Sequence, residues 1–485
     1  MCRESSGANR PVYGRVKEIG EVGRMVANGR NEPTIIYKRE IPRPSDRPAL
    51  AAFSTGPVPP SLASVARPLR PALFGRRHES ERCGATPSLS ASELWRSRFA
   101  RELAFVSCGM CYERQVKQTL ASRMKATFTI LTALLTFTAV VNAEEPFHVY
   151  APSPGTKQLW VIAAKPSANG IDLSEESKVD LGFQAGTIAL HPSKPSLYVG
   201  AGGGTLDNVS AATVSLNPSG GVASHQLFKL KHGTAYLSTD RSGKFLLSAS
   251  YGSGAIDVYG LDDAGIPTNW IAGRDEGRKE AHCILPSPDN KYLYIPYVKD
   301  NNAILQYRFN ATTGSLDPME PANALPPAGT GPRHIAYHPT LAVVYFSNEQ
   351  HLGVSVYDRD TEGRLNFRNV CDAVTADESK EGISSSDIVI TPDGRFLFAG
   401  IRGHRRDFDW ITRYQIGGNG DISMIGRTPA DKIPWGFTLS PKAEFLFVTA
   451  YDGATITAYT VGKDGSLEKA ASIPCDKGIS DIVAR

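Results

Sequence analysis

The chain has 485 residues, 41% of them hydrophobic, with 45 Gly and 33 Pro, enough apolar material for a large core and enough turn formers to cut it into many short elements. Its formal charge of +4 is unevenly spread: residues 1–123 hold 21 Lys+Arg against 11 Asp+Glu, and the rest of the chain holds 32 against 38. The acidic remainder gives no global reason to expect nucleic-acid binding, and that class of partner is set aside.

Residues 1–123 carry Pro/Arg-rich stretches such as Arg43-Pro44-Ser45-Asp46-Arg47-Pro48 and Pro57-Val58-Pro59-Pro60, without a sustained helical or strand period. Such a segment buries little, and a disordered leader is expected. Met124-Lys125 then precedes an apolar run over 126–141 and the small-residue end Val141-Asn142-Ala143. This is the pattern of a signal peptide over 124–143. It falls 123 residues too late to act as one, so translation is expected to begin at Met124, with 1–123 an over-extended start. Export to the periplasm or medium follows if so, and a cytoplasmic location if the signal is unused. The run is short for a membrane anchor, which needs roughly 20 apolar residues, so no stable insertion is expected after cleavage. Of the seven cysteines, Cys2, Cys83, Cys108 and Cys111 fall in the leader. Cys108-Gly-Met-Cys111 is a lone CxxC without a second pair and predicts no metal site. Cys283, Cys371 and Cys475 are too widely spaced for a disulfide framework, although one bridge would be compatible with export.

From residue 144 one pattern recurs. A short strand ends in His-Pro, Ser-Pro or Thr-Pro, a turn follows, and a second apolar strand begins. The copies are His191-Pro192 into Leu197-Tyr198-Val199, Ser287-Pro288-Asp289 into Tyr292-Leu293-Tyr294, His338-Pro339 into Val344-Tyr345-Phe346, Thr391-Pro392-Asp393-Gly394 into Phe396-Leu397-Phe398, and Ser440-Pro441 into Phe445-Leu446-Phe447. In a variant copy Thr239-Asp240 leads into Phe245-Leu246-Leu247, and with Asp240 standing for Pro the steps are 48, 48, 51, 53 and 49 residues. Each copy continues through a third strand and a Gly turn into a fourth, as in Val354-Ser355-Val356-Tyr357 before Gly363-Arg364-Leu365. Four alternating strands per repeat predict propeller blades. Six copies are complete. The seventh must join both termini, since Ser480-Asp481-Ile482-Val483 matches Ser386-Asp387-Ile388-Val389, and a C-terminal strand added to the N-terminal blade removes the open sheet edges. An all-β, seven-bladed propeller over 144–485 is the expected fold, with an eight-bladed ring or an open sandwich as the competing architectures.

The repeat register places the reactive residues. Six positions before each Pro stand Gly186, His282, Arg333, Ser386 and Trp435, with Thr234 in the variant copy; ten positions after stand Gly202, Val298, Glu349, Arg402 and Tyr451, and the variant contributes Tyr251. Both positions belong at one mouth of the central channel. His282, Arg333, Glu349 and Arg402 therefore come from three consecutive blades and converge. A base, a carboxylate and two guanidiniums form a site for a small anionic substrate. His282 and Glu349 are the catalytic candidates; Arg333, Arg402 and Tyr251 are the substrate-binding ones. A polar, watery channel would also explain any one of them alone. His334 and His338 alternate with Arg333, and His338 reads as a turn residue. The loop Gly403-His404-Arg405-Arg406-Asp407 adds charge near Arg402 or is simply solvated. Cys283 should face the opposite side of its strand from His282, into the core. Asn208-Val-Ser and Asn310-Ala-Thr match the glycosylation sequon, a frequent chance match. There is no P-loop, dinucleotide fingerprint, HExxH or zinc-spaced Cys/His cluster.

Gly331-Pro332-Arg333-His334 followed by His338-Pro339, Asn348-Glu349, and Thr391-Pro392-Asp393-Gly394-Arg395 resemble the seven-bladed bacterial 6-phosphogluconolactonases, to which the fungal 3-carboxy-cis,cis-muconate lactonizing enzymes are similar. The resemblance spans 144–485. It implies a site of His282, Glu349, Arg333 and Arg402, no metal, and hydrolysis of a sugar lactone to the aldonic acid in the manner of those enzymes; a monomer without a cofactor is expected. In that mechanism the arginines hold the anion, His282 activates water and Glu349 orients it or protonates the leaving alkoxide. The Arg/His-rich loop 403–406 beside Arg402 departs from the bacterial pattern. Two alternatives stand beside it: cycloisomerisation of a carboxylated muconate in the same site, and a non-enzymatic exported binding platform.

Overall fold

In the computed structural model residues 145–168, 170–202 and 207–485 are described. The leader, the signal-like segment and Cys2, Cys83, Cys108 and Cys111 lie outside the described residues. Cys283, Cys371 and Cys475 are free thiols. No helix among the described residues is long and apolar enough to cross a membrane.

The alternating and β-branched segments form seven four-stranded antiparallel sheets. Blade 1 takes Phe147–Ser153, Gln158–Ser167 and Gly170–Asp180, with Val483–Ala484 from the far end of the chain. Blades 2 to 6 follow in order, beginning at Ala185, Tyr236, Leu285, Pro332 and Ser384, and blade 7 runs from Pro434 to Pro474. Innermost strands touch their neighbours from blade 2 to blade 4 and from blade 5 to blade 7, blade 4 meets the inner strand of blade 5 through Tyr292–Tyr297, and the C-terminal strand touches both blade 7 and blade 2, so the ring is closed. Closure rests on Val149 opposite Ala484 and Tyr150 opposite Val483. Beyond the strand, His148 and Arg485 exchange backbone hydrogen bonds of 2.8 and 2.9 Å. Ile479, Ile482 and Ala484 fill the core between blades 7 and 1 with Phe147, Val149 and Phe447. Asp476 pins this segment to blade 1 by accepting hydrogen bonds from Ser153 Oγ, Thr156 Oγ1 and Trp160 Nε1 at 2.8–2.9 Å.

The repeated residues turn out to be blade-to-blade latches. Six residues after the Pro, Tyr198, Tyr294 and Tyr345 each donate a hydroxyl to the carbonyl of a turn glycine in the next blade, Gly265, Gly363 and Gly420. The His of His-Pro caps its own turn: Nδ1 of His191 accepts from Ser193 and Lys194, and Nδ1 of His338 from Thr340 and Leu341. Nε2 of His191 then reaches Gly243 O at 3.1 Å in the following blade. Gly243 and Gly394 have φ of +68° and +70°, and a Cβ on either would press into the neighbouring histidine, so only glycine meets both demands. His338 is thus a turn residue, as its position in the repeat indicates. In the variant copy the Asp240 carboxylate holds the turn by accepting from Ser242, Lys244 and Phe245 N–H groups and from Asn290 Nδ2.

A second set of latches lies nearer the axis. Asp481 of the closing segment accepts from Thr187 Oγ1 and Ile188 N in blade 2 at 3.0 and 2.9 Å. Burial, aided by the nearby Asp387 charge, pushes its carboxyl up to about 7 against the pull of those hydrogen bonds. An acid whose folded value is raised holds its proton in the native state after the unfolded chain has lost it. Its stabilising contribution is therefore full below the unfolded value near 3.9 and falls by at most about 1.4 kcal/mol per pH unit up to neutrality. The melting temperature of wild type relative to Asp481→Asn should fall between pH 5 and pH 8. A difference that stays constant over that range in parallel thermal melts would contradict this.

Candidate active site

The innermost strand of blade 5, Pro332–Tyr337, pairs with Val343–Asn348, but its register slips between Pro332 and Ile335. The same slip recurs in blade 6 between Ser385 and Ile388 and in blade 7 between Pro434 and Phe437. A bulge places two residues against one and re-aims side chains that simple alternation would send to opposite faces. Arg333 and His334 sit in the blade 5 bulge, Ser386 and Asp387 in that of blade 6, and Trp435 and Gly436 in that of blade 7.

The structure brings Arg333, Glu349 and Arg402 together. Glu349 follows directly on the second strand of blade 5, and Arg402 ends the second strand of blade 6, Phe396–Arg402. Glu349 bridges the two guanidiniums, with Oε2 3.3 Å from Arg333 Nε and Oε1 3.6 Å from Arg402 Nη2. Arg402 also donates to Ser385 O at 2.6 Å. Trp435 forms the wall behind both: the guanidinium carbons lie 4.3 Å (Arg402) and 5.6 Å (Arg333) from its ring centre, and Tyr451 packs 4.7 Å away on the same indole. Cation–π contact in a dry site compensates part of the lost hydration. Burial and the Arg333 charge push Arg402 down to about 9, and burial lowers Arg333 too; Arg402 remains a cation at neutral pH.

His282 lies on the blade 4 side, its N–H bonded to Pro296 O at 3.0 Å. Its ring meets Tyr251 at 5.7 Å and His334 at 5.1 Å, both edge to face. Burial, then the Arg333 and His334 charges, hold its value well below that of a free imidazole. Tyr251 sits at the mouth beneath Lys299, whose ammonium lies 5.1 Å from the ring and 3.3 Å from Glu280 Oε1. Tyr251 and His282 thus neighbour the Arg333, Glu349 and Arg402 cluster, and Arg333 and Arg402 act electrostatically on His282.

Two further groups lacked a strong signal in the sequence. His334 alternates with Arg333, which by simple strand alternation sends the two to opposite faces, and the bulge cancels that alternation. Its Nδ1 lies 2.6 Å from Asp387 Oδ1. Trp435 stood in the register without charge to single it out. The loop 403–406 divides: His404 Nε2 is 2.7 Å from Ser384 Oγ, and burial, then Arg402, lowers its value. Arg406 instead donates to Ser379 O and rests over Phe408. Cys283 is fully buried in the core, facing away from the site.

The site is rich in buried donors and acceptors without protein partners. Nδ1 of His282, Nε2 of His334, Nε of Arg402 and all three guanidinium nitrogens of Arg333 make no hydrogen bond. Native proteins rarely leave such groups unpaired, so these are the atoms the site offers to solvent or to a ligand. Two guanidiniums face one carboxylate, so the cluster carries an excess of positive charge. Among the described residues no group of three or more His, Cys, Asp or Glu side chains is arranged to hold a metal ion.

The family model described as "Lactonase, 7-bladed beta-propeller" matches residues 157–480. The chain is 30% identical over 336 residues to a 6-phosphogluconolactonase from Cronobacter sakazakii, covering 66% of this chain and 92% of that one. It is 29% identical over 328 residues to the 6-phosphogluconolactonase of an Enterobacter species, covering 66% and 93%. A solved periplasmic gluconolactonase from Pseudomonas aeruginosa shares the fold, with a TM-score of 0.61 and 18% identity over 70% of this chain and 99% of that one.

Proposed function

The chain belongs to the family of seven-bladed β-propeller lactonases, and on that premise we propose that it hydrolyses the ring ester of an anionic sugar lactone of the 6-phosphogluconolactone type. One observation carries this reading: Arg333 and Arg402, both buried, share the single carboxylate of Glu349 and keep guanidinium N–H groups without partners. Such a pair holds an oxyanion through charge-assisted hydrogen bonds. In a dry site the same donors stabilise the oxygen that becomes negative when water attacks the carbonyl carbon. Glu349 fixes the two guanidiniums relative to each other. A buried imidazole takes the proton of the attacking water, and the repeat register nominates His282 for that task.

The names of the curated relatives support a phosphorylated substrate. The signal-like segment 124–143 supports a second reading, an unphosphorylated aldonolactone met outside the cytoplasm, where phosphosugars are scarce. The full chain should hydrolyse one of the two faster than the spontaneous rate, read as acid release at constant pH. A higher kcat/KM for the phosphorylated lactone selects the first reading, and the reverse order selects the second. Equal rates with and without protein for both lactones would overturn the assignment.

A further inference from the structure

The register nominates one imidazole, but the pocket holds two, and they differ in what stands behind them. His282 has no carboxylate: its Nδ1 is unpaired, and its ring faces Tyr251 and His334. His334 has Asp387 at 2.6 Å on Nδ1, and its Nε2 is buried without a partner. Asp387 is itself fixed, since Oδ1 accepts from Ile388 N at 2.8 Å and Oδ2 from Phe437 N at 2.9 Å. With two N–H donors on it, the carboxylate is an acceptor toward His334. This places the His334 proton on Nδ1 and leaves the lone pair on the buried, unpartnered Nε2. The edge of Tyr236, 5.1 Å away, and the blade 5 bulge hold the ring in place.

From this arrangement, and resting on the lactonase reading above, we infer that His334 is the general base of the reaction and that Asp387 is its positioning residue. A base that takes a proton from water becomes an imidazolium. His282 would do so among Arg333, Arg402 and His334 with no counter-charge of its own. His334 faces the same cations, but Asp387 stabilises its charged form and holds its tautomer. The electrons balance simply. Water oxygen bonds to the lactone carbonyl carbon while one water proton passes to Nε2 of His334. The carbonyl oxygen takes up the π pair under the guanidiniums. On collapse the bond from the carbonyl carbon to the ring oxygen breaks, and the ring oxygen leaves with that pair and receives the proton back from Nε2. Base and acid are one residue, and no co-reactant is needed.

The test is steady-state hydrolysis by the full chain across pH 5 to 9, for wild type, His334→Gln, Asp387→Asn and His282→Gln. His334→Gln should lower kcat by about 100-fold or more with KM nearly unchanged. Asp387→Asn should lower kcat less and move the acid limb of the profile to lower pH, because the carboxylate that favours the imidazolium is gone. The groups facing His334 are Asp387, Arg333, Arg402, His282 and Tyr236, and only Asp387 is changed in that variant. A purely structural role for the pair would lower the melting temperature and leave the limb where it is. If His282→Gln abolishes turnover while His334→Gln keeps it, the inference falls and the lactonase reading stands. If wild type turns over no lactone, both fall. Should either variant fail to fold, nitrogen-15 NMR of the wild-type imidazoles decides: the neutral His334 ring must carry its proton on Nδ1, and a proton on Nε2 overturns the inference.

Discussion

Replacing Arg333 by methionine is expected to lower kcat/KM for the lactone roughly 1,000-fold while leaving the melting temperature at or above that of wild type. The two halves of this result have one cause. Arg333 is fully buried, and none of its guanidinium nitrogens makes a hydrogen bond. The carboxylate in direct ion-pair contact with it is that of Glu349, at 3.3 Å. A charge held this way costs folding free energy that a methionine of similar length would not, since the thioether fills the same space without needing water. On the proposed lactonase reading the cost is retained because the same unpaired donors would meet the anion and the developing oxyanion. Arg333→Lys should fall between the two in activity, because an ammonium cannot offer the planar pair of donors. Assays of the lactone with parallel thermal melts read both quantities. A methionine variant that is active, or that melts many degrees lower, would show that Arg333 serves the fold rather than the ligand.

The second large effect concerns ring closure. Deleting residues 476–485 should abolish cooperative folding or bring the chain close to its unfolding limit at room temperature. The segment carries Ile479, Ile482 and Ala484 into the core between blades 7 and 1. It also carries the Asp476 carboxylate, which accepts from three blade 1 side chains, and the latch of Asp481 onto blade 2. Buried isoleucines contribute about 1.5–3 kcal/mol each, and hydrogen bonds to a charged group about 1.5–3 kcal/mol. Together these are on the order of a domain's whole net stability of 5–15 kcal/mol. The deletion further exposes the edge of Phe147–Ser153, which invites association with another chain. Asp476→Asn is the graded control, expected to cost about 1–3 kcal/mol in denaturant titrations while keeping one cooperative transition. A deleted chain that melts cooperatively within a few degrees of wild type would mean that blade 1 stands on three strands.

Blade count, strand order and the joining of the two termini were legible from the chain because a repeat shows itself as a period. The spacing of the Pro turns and the match of Ser480-Asp481 to Ser386-Asp387 need only comparison of the chain with itself. The same period placed His282, Arg333, Glu349, Arg402 and Tyr251 at one mouth, since equivalent residues of blades related by rotation must converge. What the period could not show is any departure from it. The bulge that turns His334 toward the pocket is a one-residue slip against the neighbouring strand, and nothing in Gly331-Pro332-Arg333-His334 marks it. Nor could the spacing tell that Glu349 clamps two guanidiniums, that Trp435 backs them, or that Asp387 orders an imidazole one blade away. Those relations depend on distances between blades and on which donors are left without partners. Such quantities exist only once the ring has closed and excluded the water that would otherwise have satisfied every one of those groups.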